Sequence, residues 1–581
     1  MKAWIVAILF CSLVLIGLVW GGATAVDFFK VGVNTLNMSG VYAERALVGS
    51  LNFSDSSGLP GLKMNRSGAY VGNVKANDPV IDVCRYDGTN PEVYTQCDVV
   101  CGIEQECSVQ PFLSGNYEIK FYGFGNEFYF DTDWSISSNT KIESGEGNTI
   151  FVISDGFSIN PNGEDLRNIV INGINFTRVS PSTVSQKDVI NFTKVNSARN
   201  LKFTNLRFTN INSTAIKIWL KNGATGTISG VRINEVDFIE SLRGVSMKLE
   251  TSETKDKIWN VEVSNINFLQ DTYYSQYYQR IGNVLSINGG RVITLSNFNI
   301  KDAGDGPSIS IKRSTAVDIS NIYSTLQHDY TLEVIDGSQD VLISNIHTKD
   351  AGDYGALLIK NGNYAEETRN IKATGITCLF VRDCITVHNA KANSKIENVI
   401  IENFFINDTT DSGINIWPQS APIGTITMRQ GTIKNTDVAG IRFYYKNNAN
   451  NVVVENMDFF NTGVGGVAVR RAAIDFEDPN VTNVNLRNFK IRNNTATVKY
   501  SIMFEADDAS TQLQVAAREI DQGSLNYGFQ GAYHDRTYLS NYQYTDFSKC
   551  ETNDFSEGQI IHNATFAGVC VNGDWLTWTI T

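Results

Sequence analysis

From about residue 165 one short phrase keeps returning: an Asn or Gly, then an apolar residue, within a stretch that alternates apolar and polar. Instances are Gly173-Ile174, Asn205-Leu206, Asn265-Ile266, Asn297-Phe298, Asn321-Ile322, Asn345-Ile346, Gly375-Ile376, Asn403-Phe404, Asn456-Met457 and Asn488-Phe489. Between Asn265 and Asn403 the steps are 32, 24, 24, 30 and 28 residues. Alternation is the period of a half-buried strand, and steps of this size are too long for a hexapeptide solenoid. A second strand recurs in each period, in segments 215–218, 308–311, 355–359, 384–387, 413–416, 440–443 and 466–469. Each segment turns alternate side chains to opposite faces. A single coil of this kind cannot bury its own apolar face, whereas a stack can. A leucine-rich repeat would need a Leu signature and a helix per period, and neither is present. The expected fold is all-β: a right-handed parallel β-helix of about twelve coils over residues 165–505. Asn at matching turn positions adds a side-chain amide ladder from coil to coil.

The flanks read differently. Lys2, the apolar run 3–20 and the small-residue series Ala23-Thr24-Ala25 make residues 1–25 a secretory signal peptide or an uncleaved membrane anchor. Any membrane contact is expected only through that uncleaved segment. Residues 26–164 read as a disulfide-containing N-terminal region and cap, and 506–581 as a C-terminal cap with a disulfide; solenoid ends need such covers. Eight cysteines follow Cys11, in local groups: Cys84, Cys97, Cys101 and Cys107, then Cys378 and Cys384, then Cys550 and Cys570. An even number in clusters suits disulfides in an oxidising, extracellular setting. The first group lacks the C-x2-C pairs of a zinc site. Ten N-x-S/T sequons fit a glycosylated exterior. With 42% apolar and 19% charged residues the chain can bury a large core. Its formal charge of −13 excludes a nucleic-acid partner.

Aligning the second strands brings out a set of aspartates just ahead of them: Asp305, Asp329, Asp353, Asp383 and Asp411, with Asp437 nearby in the next coil. Three have a partner three residues earlier, giving Asp302/Asp305, Asp350/Asp353 and Asp408/Asp411. Coils stack about 4.8 Å apart, and like charges so close push some carboxyl pKa values up, which makes an acid and a base from identical residues. Carboxyls stand about 6.5–9.5 Å apart in inverting glycosidases and about 5–5.5 Å in retaining ones, and a ladder supplies either. Two other readings stand beside the catalytic one. Asp is a turn residue whose carboxylate bonds nearby amides, and Asp302, Asp305 and Asp350 are candidate oxygen ligands for calcium. No cofactor is required, and Ca2+ or another cation is the alternative occupant of the paired carboxylates.

The strand Arg382-Asp383-Cys384-Ile385 resembles the Asp-Asp-Cys-Ile motif of polygalacturonase-type glycoside hydrolases, within the pectin-lyase-like β-helix superfamily. One coil earlier, Asp353 sits where that family places another catalytic Asp. Arg442-Phe-Tyr-Tyr-Lys446 is similar to its Arg-Ile-Lys substrate strand. The resemblance implies hydrolysis with inversion, with Asp353 and Asp383 as acid and base and with Arg442 and Lys446 on a sugar carboxylate. It departs from the family at Arg382, at Asp411-Ser412-Gly413 where a Gly-His-Gly would stand, and at the Phe-Tyr-Tyr insertion. Trp417 and Tyr444, flanking these strands, offer faces for sugar rings. His347 and His388 read as surface or turn histidines.

Two functions remain open from sequence. One is a secreted glycoside hydrolase or polysaccharide lyase using Asp353, Asp383 and Asp411, with Arg382, Trp417, Arg442, Tyr444 and Lys446 on a glycan. The other is a non-catalytic extracellular structural or adhesion protein, a surface-layer, fibre or spike component able to form homo-oligomers.

Overall fold

The structure is a computed structural model. It describes residues 50–52, 62–65, 68–71, 74–75, 80–85, 97–101, 107, 109–113, 117–122, 127–145, 149–178, 186–249, 256–270, 282–303, 306–352, 354–444, 449–464, 472–477, 482–492 and 500–504, and further strands between 515 and 579. The expected leader 1–25, Asp305, Asp353, Lys446 and Cys550 lie outside the described residues.

The chain divides into two units, Met1–Tyr129 with Asn139–Ile150, and Phe130–Ser138 with Phe151–Thr581. In the first, strands Val80–Arg85, Val99–Cys101, Glu118–Tyr122 and Lys141–Ser144 pair in parallel around Ile81, Val83, Ile119 and Phe121, all buried. Disulfides Cys84–Cys97 and Cys101–Cys107 tie this unit. Its one described helical turn is Gln110–Leu113.

The second unit is the parallel β-helix that the resemblance implies. Each coil contributes one long bent strand and one short strand, and each pairs in parallel with its equivalents in the neighbouring coils. The short strands form a fifteen-stranded sheet that begins at Trp134–Ile136 and ends at Tyr527–Gln530, so coils lie on both sides of 165–505. The recurring phrase is in register, with Ile266, Phe298, Ile322, Ile346 and Ile376 stacked in turn. Where segment 466–469 was expected, the sheet is filled by Ala472–Phe476, and 466–469 lies outside the described residues.

The long strands bend because they carry left-handed residues five positions apart. Examples are Ala316, Asn321 and Leu326, then Asp340, Asn345 and Asp350, then Asn370, Gly375 and Phe380, then Asn398, Asn403 and Asp408. Asn, Asp and Gly take this conformation with little strain, so the repeat is a bend signal written three times per coil, of which the middle one is the most regular in sequence. The amides also bridge coils. Asn297 Nδ2 donates to Asn265 Oδ1 at 3.0 Å, Asn321 to Asn297 at 3.0 Å, and Asn345 to Asn321 at 3.1 Å.

Inside, alternate residues stack by kind. Phe176, Phe208 and Phe238 are fully buried. Their rings lie near-parallel, with centroids 5.2 and 5.5 Å apart. Such a column removes apolar surface from water across these coils. This rigid interior leaves the outward residues of each coil in fixed relative positions.

Candidate functional site

The groove is built from the outward positions of five successive short strands. Leu332, Leu357, Ile385, Ile414 and Ile441 are register partners and point inward. One residue on, the outward column reads Glu333, Leu358, Thr386, Asn415, Arg442. Three residues on, it continues through Lys360, His388, Trp417 and Tyr444. With Asp329, Tyr330, Tyr354, Arg382, Asp383 and Asp411 from the preceding turns, these side chains line a cavity of about 480 Å3. Four coil steps of about 4.8 Å make it about 19 Å long.

The aspartates do not form a single column. Extending the strand register back, Asp329, Tyr354, Arg382 and Asp411 share one position, and Asp383 falls one residue later, beside Tyr330, Gly355 and Ser412. The first members of the expected pairs, Asp302, Asp350 and Asp408, occupy left-handed corners with φ of 56°, 53° and 59°. Asp302 and Asp350 are separated by the coil of Leu326, which holds the same corner. Asp302 lies 3.8 Å from His328, and Asp350 3.6 Å from Lys349. Among the described residues no group of three His, Cys, Asp or Glu could hold a metal.

Asp383 is the buried carboxyl of the floor, 5% exposed. Burial and then the neighbouring Asp411 push its pKa up to about 7, against a hydrogen bond from the Ser412 amide and the more distant Arg382 and Arg442. Gly355 leaves it room, since a Cβ there would stand 2.1 Å from the Asp383 carbonyl oxygen. A disulfide, Cys378–Cys384, closes the turn that presents Arg382 and Asp383. Asp411 faces two guanidinium groups, Arg382 at 3.8 Å and Arg442 at 3.7 Å.

Arg442 is 6% exposed and donates from Nε and Nη2 to Glu477 Oε2, at 2.9 and 2.5 Å. Burial pulls its pKa down, but Glu477, Asp411 and Asp475 outweigh it and the net direction is up. Aromatic faces form the walls. Tyr354 stacks on Tyr330 at 4.9 Å, and Arg382 lies over Tyr354. The His388 and Trp417 rings stack at 4.0 Å and 4°, with Tyr444 edge-on to Trp417 at 5.3 Å. His388 shares a 2.8 Å hydrogen bond with Gln419. Burial pushes its pKa down to about 4, against that bond and helped by Lys360, so the ring is neutral. Trp417 Nε1 and Asn415 Oδ1 have no hydrogen-bond partner among the described residues. Tyr330 donates to Thr386 Oγ1 at 2.7 Å.

Of the residues singled out from sequence, Asp383, Asp411, Arg382, Trp417, Arg442 and Tyr444 come together in this groove. Asp437 and Asp408 instead line a separate cavity of about 470 Å3 beside the exposed ring of Phe380. His388 is a groove residue on a strand, not a surface or turn histidine, because its register position three after Ile385 faces outward beside Lys360 and Trp417. Tyr330, Tyr354, Asn415 and Glu477 had no motif to mark them; register alone finds them.

No family model matches the chain, and no curated protein matches it. Similar solved structures include the N-terminal fragment of bacteriophage phi29 gene product 12, at 13% identity and TM-score 0.43, covering 74% of this chain and 71% of that one. The tailspike protein of E. coli bacteriophage HK620 matches at 13% identity and TM-score 0.42, covering 81% and 87%. The A-module of Azotobacter vinelandii mannuronan C-5 epimerase AlgE6 matches at 11% identity and TM-score 0.37, covering 74% and 93%.

Proposed function

We propose that the groove binds a polysaccharide outside the cell and hydrolyses it by general acid–base chemistry. The observation that carries this is the buried carboxyl of Asp383 next to Asp411 on the floor of an aromatic-walled groove about five coils long. Asp383 holds a proton near neutral pH and delivers it to the glycosidic oxygen as the bond to the anomeric carbon breaks. A water adds to that carbon, and Asp411 takes the proton the water loses. Trp417, Tyr444 and Tyr354 form aromatic walls for sugar rings, and Thr386 and Asn415 are the uncharged polar side chains between them. The test is release of reducing ends from a glycan panel by the wild type and by Asp383→Asn. Equal release by both removes Asp383 from the mechanism.

The second reading is a stiff extracellular shaft, favoured by the Asn ladder and by the Phe column, which lies in coils that hold no groove residue. It gains if the protein turns over no glycan and self-assembles in an ordered way. In either case disulfides Cys84–Cys97, Cys101–Cys107 and Cys378–Cys384 suit an oxidising exterior.

A further inference from the structure

We infer that the glycan taken by this groove is uncharged, and that Glu477 sets this preference by occupying Arg442. The inference rests on the reading of the groove as a glycan site. A polyuronate needs a cation with free donors for each carboxylate it brings, and Arg supplies these best as a bidentate fork. The groove holds three cations, Lys360, Arg382 and Arg442. Arg442, the one aimed from the floor, already gives two donors to Glu477 and faces Asp411 with a third nitrogen. Arg382 faces the same Asp411 and lies over the Tyr354 ring. Only Lys360 has no carboxylate within ion-pair distance among the described residues, and around it the groove carries Asp329, Glu333 and Asp411 in addition to Asp383.

With Asp383 protonated, Asp329, Glu333 and Asp411 match the three cations, and Glu477 behind Arg442 tips the balance to negative. The whole chain adds to it with a formal charge of −13. A string of sugar carboxylates would bring more negative charge to partly desolvated carboxylates, which is costly. The rest of the lining is aromatic or uncharged, with Trp417, Tyr444, Tyr354, Thr386 and Asn415 along the groove. These match hydroxyl-rich, uncharged sugars.

The test is affinity electrophoresis of the full chain against soluble neutral glucans, mannans and xylans, with polygalacturonate and alginate alongside, at low and high salt. The wild type is expected to be retarded by a neutral chain, with little salt dependence, and to ignore polyuronates. Glu477→Gln removes the charge that holds Arg442 and should raise polyuronate affinity by about tenfold, an effect that salt screens. Glu333→Lys reverses a charge on the half-buried wall without touching Arg442, and should move affinity the same way if Glu477→Gln fails to fold. Wild-type binding to polyuronate at least as tight as to any neutral chain overturns the inference and leaves the groove's function standing. Absence of binding to both classes overturns that function and this inference together.

Discussion

The Asp383 carboxylate accepts a hydrogen bond from the Ser412 amide on the next coil at 3.2 Å, and the residue just before Ser412 is its like-charged neighbour, Asp411. One coil step thus delivers a dipole that favours the ionised form and a charge that opposes it. With burial added, the proton is held to about pH 7. Turnover should therefore fall as pH rises through about 7, and Asp383→Asn should abolish it. Asp411→Asn removes the base and should abolish turnover as well; it also removes the like charge, so the Asp383 pKa should fall, read from the pH dependence of thermal melting.

Asp383 also makes the fold less stable in base. Its folded pKa is raised above the usual carboxyl value of 3.8, so the unfolded chain gives up its proton first. Stability is then lost as pH climbs from about 4 to about 7, by at most about 4 kcal/mol. Asp383→Asn should melt at a higher temperature than wild type at pH 8 and show no such gain at pH 4. An equal Tm difference at both pH values would contradict a buried, protonated Asp383.

His388 works in the opposite direction. Its folded pKa lies below the usual 6.5, so stability is present above that value and lost as pH falls from 6.5 towards about 4. The loss is at most about 3 kcal/mol. His388→Gln should flatten the acid side of the stability curve followed by thermal melts between pH 4 and 7.

Trp417 stacks on His388 and lines the groove. Trp417→Ala should weaken glycan binding by about three- to tenfold, the worth of one aromatic contact. Titration calorimetry checks this, and an unchanged Kd would place the ring outside the binding path.

Cys378–Cys384 closes a short loop around Arg382 and Asp383. Chain entropy for a loop of this size gives about 2 kcal/mol. Cys378→Ser with Cys384→Ser should cost about that much in denaturant unfolding, and should reduce kcat more than it raises KM, because the turn that aims Asp383 loosens.

Most of the β-helix was legible because its rules are local. Alternation set the strands, and Asn265, Asn297, Asn321 and Asn345 marked the bends where a left-handed residue is needed. The same logic misplaced part of the acid ladder. Asp383 lies one residue out of line with Asp329 and Asp411, a shift that spacing in sequence cannot resolve across turns of unequal length. His388 was misread because only the register shows that its strand position faces outward. Glu477 was invisible for another reason: it meets Arg442 from the next coil, 35 residues on, and no motif links them.

The Asn columns have a consequence for how such a chain can change over time. At Asn297 the coil meets the same amide above and below. Gain or loss of one whole coil there exchanges like for like, so length is free to drift. Between Asp329 and Glu477 the neighbours differ: Asp383 needs Ser412, Asp411 needs Arg442, and Arg442 needs Glu477. In that stretch a coil has an address, and a duplication would separate partners that have no substitute. The shaft is heritable by the unit, and the groove only as a block.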